Sequence, residues 1–227
     1  MKHSAGRAQL DSMIVEIELT LVSIIQGVAL TVLIESAHGV IGSRHLIFWP
    51  YVLSGLLIIL VFWSRAVLHI ITVIRWPLEF GHNFLYIGCA LVEALLFAQL
   101  EKPTSWFAFA AAFIAVGWML FVYDLRLIRA RTRDSACPAS NRLCAMVTRD
   151  QWLNIALLLP AVFLMNLAFA IAIHVWPQFF LAGNGHVWLA AAQIIGFAGY
   201  LIYVVKFYTT LAPFIAQARA EWHGDSA

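Results

Sequence analysis

Apolar residues gather along this chain into six long stretches, at 13–36, 48–74, 80–100, 105–128, 151–174 and 186–211, each broken only by scattered polar positions. A helix needs about 20 mostly apolar residues to cross the hydrocarbon of a bilayer, and every stretch is long enough. Lipid offers no hydrogen-bond partner to an unpaired backbone group, so spans of this length must be helical. The pattern predicts an all-α, polytopic membrane protein: a single domain of six transmembrane helices. The connections are short except 129–150, RARTRDSACPASNRLCAMVTRD, which reads as a basic loop.

Inside the spans, polar residues recur at helical spacing, about 100° per residue. The first span aligns Glu16, Thr20, Ser23, Gly27 and Thr31, with Glu35 drifting off the end; the second aligns Ser54, Arg65, His69, Thr72 and Trp76. The third aligns His82, Tyr86, Cys89 and Glu93, and the sixth His186, Gln193 and Tyr200. Such stripes predict a bundle with polar faces turned inward and aliphatic faces turned to lipid. A lone charge near mid-membrane costs at least about 2.5 kcal/mol, so Arg65 and Glu93 need partners. If spans two and three are antiparallel neighbours, an Arg65–Glu93 ion pair is expected, with Glu16 and Glu18 as other partners for Arg65. Glu16, Glu18, Arg65, His69, His82, Glu93 and His186 are therefore the candidate residues of the polar interior. Two accounts compete for them: hydrogen bonds that tie helices together, with Gly27 allowing close approach, or a route for an ion or proton.

Composition narrows the solvent. Hydrophobic residues make up 63% of the 227 positions and charged residues 11%, with mean hydropathy +0.86; a soluble domain carries about 25% charged residues. Net charge is only +2, which gives no reason to expect nucleic acid as a partner. Its distribution says more. With the N-terminus inside, eleven Lys and Arg fall in inner segments or toward the inner ends of spans, only Arg44 and Lys102 in outer segments, and Arg65 deeper within a span. Basic residues resist translocation, so both termini are expected in the cytoplasm of a cell inner membrane, and the 129–150 loop could touch anionic lipid or a protein partner. Trp49, Trp76, Trp106, Trp152, Trp176 and Trp188 fall near span ends, at headgroup level. No cleavable signal peptide stands out. Cys89, Cys137 and Cys144 suggest neither a disulfide framework nor a zinc site.

A short echo bears on topology. IRWPLEFGHNFL at 74–85 and VWPQFFLAGNGHVWL at 175–189 share Trp-Pro, a later Phe, Gly-His and Leu. Turn chemistry accounts for most of this, because Pro77 cannot continue a helix and Glu79 suits a helix start. The copies fall on opposite membrane sides, as a 3+3 inverted repeat would require. Pro160, inside the fifth span, predicts a local kink.

Chemistry is sparser. There is no Gly-rich phosphate loop, nucleophile elbow or zinc-protease helix, which leans away from an enzyme. Asp124 with Arg126 reads as the inner end of span four. His69 and His82 near one face and His174 and His186 near the other would suit a two-haem electron carrier, an alternative to a chain without a cofactor. In the first span, SIIQGVALT resembles, at Gly27 and Val28, the first-helix signature of the six-helix bacterial and lysosomal potassium channels. Ile25-Gln26 replace that family's Ser-Asp and the leading Arg is absent, so the chain is not assigned to it. The expectation is a channel or transporter for protons or small cations, working as a homo-oligomer because the unit is small; a non-conducting adaptor is the other alternative.

Overall fold

A computed structural model describes residues 2–42, 45–73, 79–134 and 138–223, with the backbone alone described at 2–8, 131–134, 138–140, 219 and 221–223. Seven α-helices and no strand occur among them: α1 (Lys2–Gly42), α2 (Trp49–Val73), α3 (Phe80–Phe97), α4 (Pro103–Asp134), α5 (Pro138–Leu153), α6 (Leu159–Val175) and α7 (His186–His223). Six helical segments are long and apolar enough to cross a membrane, the fifth, Asn141–Val175, combining α5 and α6. The protein is thus an all-α polytopic bundle.

The 129–150 segment departs from expectation. Helix α4 runs on through Asp134 and α5 begins at Pro138, so most of the expected loop is helical, while Cys137 lies outside the described residues. Leu143, Val147, Asp150 and Asn154 recur at helical spacing and are all buried. That inward face seats α5 between α4 and α7.

Around one half of the bundle the helices form a ring in the order α2, α1, α3, α4, α5, α7 and back to α2; in the other half α6 packs on α4. The main apolar core joins side chains such as Val22, Ile58, Phe62, Leu96, Phe107 and Phe197, and a smaller one joins Leu68, Ile128, Leu143 and Leu211. Gly55 lets α1 approach α2 closely: a Cβ there would meet Leu33 Cδ1 at 2.8 Å. Helix α1 lies against both α2 and α3, whereas α4 packs on α3, α5 and α6. The two halves are not packed alike, which gives an inverted repeat no support.

Near Pro160 the fifth span does break its regular winding. Asn154–Leu158 form a π-helical turn just before the proline, a wider turn that absorbs the missing donor. The second Trp-Pro motif is a turn. Trp176 ends α6, Gln178–Ala182 form another π-helical turn, and Asn184 takes φ 57°, a left-handed conformation that Asn tolerates. Arg75, Trp76 and Pro77 of the first motif lie outside the described residues.

Candidate functional site

The stripes on α2, α3 and α7 point inward as their spacing suggests: Ser54, Arg65, His69, Thr72, His82, Tyr86, Cys89, Glu93, His186 and Gln193 are all buried. The α1 stripe points outward instead. Glu16, Thr20, Ser23, Gly27 and Thr31 are exposed, while Ile14, Glu18, Val22, Gln26, Ala29 and Leu33 face the core. The three hydroxyls can face outward because each bonds a carbonyl of its own helix: Thr20 to Glu16, Ser23 to Leu19 and Thr31 to Gly27, at 2.8, 2.8 and 2.9 Å. Asn83 Nδ2, in the first turn of α3, donates to Glu18 Oε1 at 2.9 Å. Glu18 therefore lies near a bundle end, and Glu16 lies farther out still.

The expected Arg65–Glu93 pair is replaced by another. Arg65 Nη2 donates to Asp150 Oδ2 at 2.7 Å and to Gln151 Oε1 at 3.3 Å. Glu93 Oε2 accepts from Gln26 Nε2 of α1 at 3.2 Å. Register explains the exchange. The rings of His69 and His82 stack 5.1 Å apart, so on antiparallel helices Arg65 falls level with Tyr86. Glu93 is then about 10 Å deeper, at 1.5 Å per residue. Arg65 is buried, and its partner sits on α5 rather than on α3.

Asp150 is itself held from both sides. Its Oδ1 accepts from Tyr203 of α7 at 2.6 Å. One turn on, Asn154 donates to the Asp150 carbonyl at 2.8 Å and accepts from Tyr200 at 2.5 Å. The guanidinium lies over the Phe121 ring, 5.0 Å from its centroid.

Beside this pair lies a group of three ionisable side chains, contributed by α2, α3 and α4. His82 Nδ1 donates to Asp124 Oδ1 at 2.8 Å, and His69 Nε2 stands 3.5 Å from the same oxygen. The one donor atom from each of the three residues lies within 4.8 Å of the others, and all three residues are buried. Side-chain exposure is 9% for His69, 5% for His82 and 6% for Asp124. A cavity of about 30 Å³ adjoins them, lined also by Arg65, Asp150 and Gln151. His69 Nε2 and two nitrogens of Arg65 have no hydrogen-bond partner there.

Sequence reasoning missed Asp124 and Asp150. Asp124 read as a helix end, yet it continues the buried face of Trp106, Ala110, Phe113, Leu120 and Ile128 on α4. A carboxylate in step with an apolar stripe was the available signal.

The other half of the interior is neutral. Gln193 Oε1 accepts from Ser54 at 2.7 Å and from Trp106 at 2.9 Å, while Gln193 Nε2 donates to Asn166 at 2.7 Å. Trp106, expected at headgroup level, is thus drawn fully into the core; Trp49, Trp152, Trp176 and Trp188 are exposed as an interfacial ring would be. The Tyr51 hydroxyl meets His186 Nδ1 at 3.0 Å. His174 is exposed while His186 is buried, so the second histidine pair of a two-haem carrier does not form. The cavity beside the first pair is far below the roughly 300 Å³ that a cofactor pocket starts from. The residues do not fit haem.

Compared with known proteins, the chain matches no family model, no curated protein sequence and no solved structure.

Proposed function

We propose that this membrane protein is a transporter for small cations, a proton or a metal ion, with its binding site at His69, His82 and Asp124. One observation carries the reading: three ligating side chains from three separate helices converge on one buried point. Helix-tying hydrogen bonds need only matched pairs, and the Gln193 cluster supplies those. Here a histidine nitrogen is left over beside a cavity. At about 30 Å³ that cavity suits one water or one ion, since a water needs about 10–15 Å³. Ligands this deeply buried favour a carrier that exposes its ion in turn to each side over an open, water-filled channel.

The remaining interior groups extend a polar path away from this site. Arg65 with Asp150 lies one turn deeper, followed by Glu93 with Gln26 and then the Ser54–Gln193 cluster; Tyr51 with His186 stands near the far end. The excess of basic residues in the inner segments supports an orientation with both termini, and the His69–His82–Asp124 end, facing the cytoplasm. Because one chain supplies the whole site, this reading does not require the homo-oligomer that chain length alone suggested.

Flux into proteoliposomes tests it, with an internal pH dye for protons and an internal metal indicator for divalent ions. We expect flux above protein-free vesicles that falls at least about tenfold in Asp124→Asn, the size of effect typical when a ligand-orienting group is lost. Flux absent from the native chain overturns transport and leaves the membrane adaptor; flux unchanged in Asp124→Asn overturns the site.

A further inference from the structure

We propose that His69, His82 and Asp124 bind a divalent transition-metal ion of the zinc type. This deepens the preceding reading and rests on it for the identity of the cargo, while the binding claim stands on geometry alone. Zinc bonds to imidazole nitrogen and carboxylate oxygen are about 2.0–2.2 Å long, which sets tetrahedral donors about 3.3 Å apart. Asp124 Oδ1 already stands 2.8 Å from His82 Nδ1 and 3.5 Å from His69 Nε2. The remaining pair is within 4.8 Å. Small side-chain rotations bring all three donors onto one ion.

The donor set selects the class. Two imidazoles with one carboxylate suit zinc and its neighbours, whereas magnesium and calcium take oxygen donors throughout. Local charge agrees: the cavity lining carries Asp124 and Asp150 against the single guanidinium of Arg65. Arg65 is itself held by Asp150 at 2.7 Å. A divalent ion would thus enter a pocket with one excess negative charge. Binding needs the lone pair of His82 Nδ1, so the hydrogen shared with Asp124 moves: a neutral ring shifts it to Nε2, and an imidazolium releases it to solvent.

His69 supplies the observation that hydrogen bonding within the protein does not explain. Its side chain is 9% exposed, and its Nε2 has no partner although it lines the cavity. Leaving a buried polar atom unsatisfied is costly, and a metal ion at the shared point removes that penalty. Three protein ligands leave a fourth position open, the arrangement of an exchangeable ion rather than a closed structural site.

The full chain, purified in detergent and stripped by chelator, provides the test. Zn2+ is titrated by calorimetry and Co2+ by the visible bands of a tetrahedral ion. We expect one ion per chain, with affinity lowered at least about tenfold in His69→Gln and in Asp124→Asn, and unchanged in His174→Gln. No stoichiometric binding by the native chain, equal binding in all three variants, or Ca2+ or Mg2+ displacing Zn2+ would each overturn the site. The native titration decides even where a variant fails to fold. Zn2+ binding without flux in proteoliposomes keeps this site and removes transport; proton flux without Zn2+ binding does the reverse.

Discussion

The two halves of the bundle interior solve the same problem differently. Around Gln193, polar groups from α2, α4, α6 and α7 are neutral, and both ends of the Gln193 amide are used. Around Asp124 and Asp150, two carboxylates, a guanidinium and two imidazoles crowd together and leave nitrogens unmatched. Neutral hydrogen bonds in membranes contribute about 0.6 kcal/mol on average; buried charges cost far more when mispaired. The difference teaches that the Gln193 cluster holds helices together, whereas the charged cluster is an expense that stability alone does not justify.

The contrast breaks most visibly at Arg65. Arg65→Met leaves Asp150 as an uncompensated buried charge, and we expect a loss of about 3–5 kcal/mol, measured by reversible unfolding in mixed micelles. The double variant Arg65→Met with Asp150→Leu should recover most of it; equal losses in single and double variants would mean the pair is not coupled. Next in size is Gln193→Leu, which orphans Ser54, Trp106 and Asn166 together. We expect about 1–3 kcal/mol lost with Zn2+ affinity unchanged, and a matching fall in affinity would erase the division between the halves. Smallest is Tyr51→Phe, about 0.6 kcal/mol in the same unfolding assay, with flux retained. A loss above about 2 kcal/mol would exceed the largest single membrane hydrogen bonds and give His186 a weightier role.

Span number was legible because hydropathy over about 20 residues is a strong physical signal. Inward facing of His69, His82, Glu93 and His186 was legible from helical spacing. On α1 the same reasoning picked the wrong face, since a hydroxyl that bonds its own helix, as Thr20 and Thr31 do, carries little penalty in lipid. Partner choice was the other gap: pairing Arg65 with Glu93 required the register of α2 against α3, and that depends on which side chains stack between helices. Asp150 escaped because Arg142 and Arg149 give α5 a basic outer face that resembles a loop, while its inner face is read only by counting Leu143, Val147, Asp150 and Asn154 in step.

The π-helical turn at Asn154–Leu158 has a consequence for how the fifth span is phased. One residue more than an α-turn requires is stored there, and α5 and α6 use that offset to face different neighbours, α7 and α4 for the first half and α4 for the second. Deleting Ile155 would remove the stored residue and let the turn close as an ordinary α-turn, with the downstream face kept in place. Inserting one residue after Leu159 would instead rotate everything downstream by about 100°, swinging Asn166 away from Gln193 while Asp150, upstream, stayed against Arg65. One codon added would uncouple the two halves of the interior without touching a polar side chain in either.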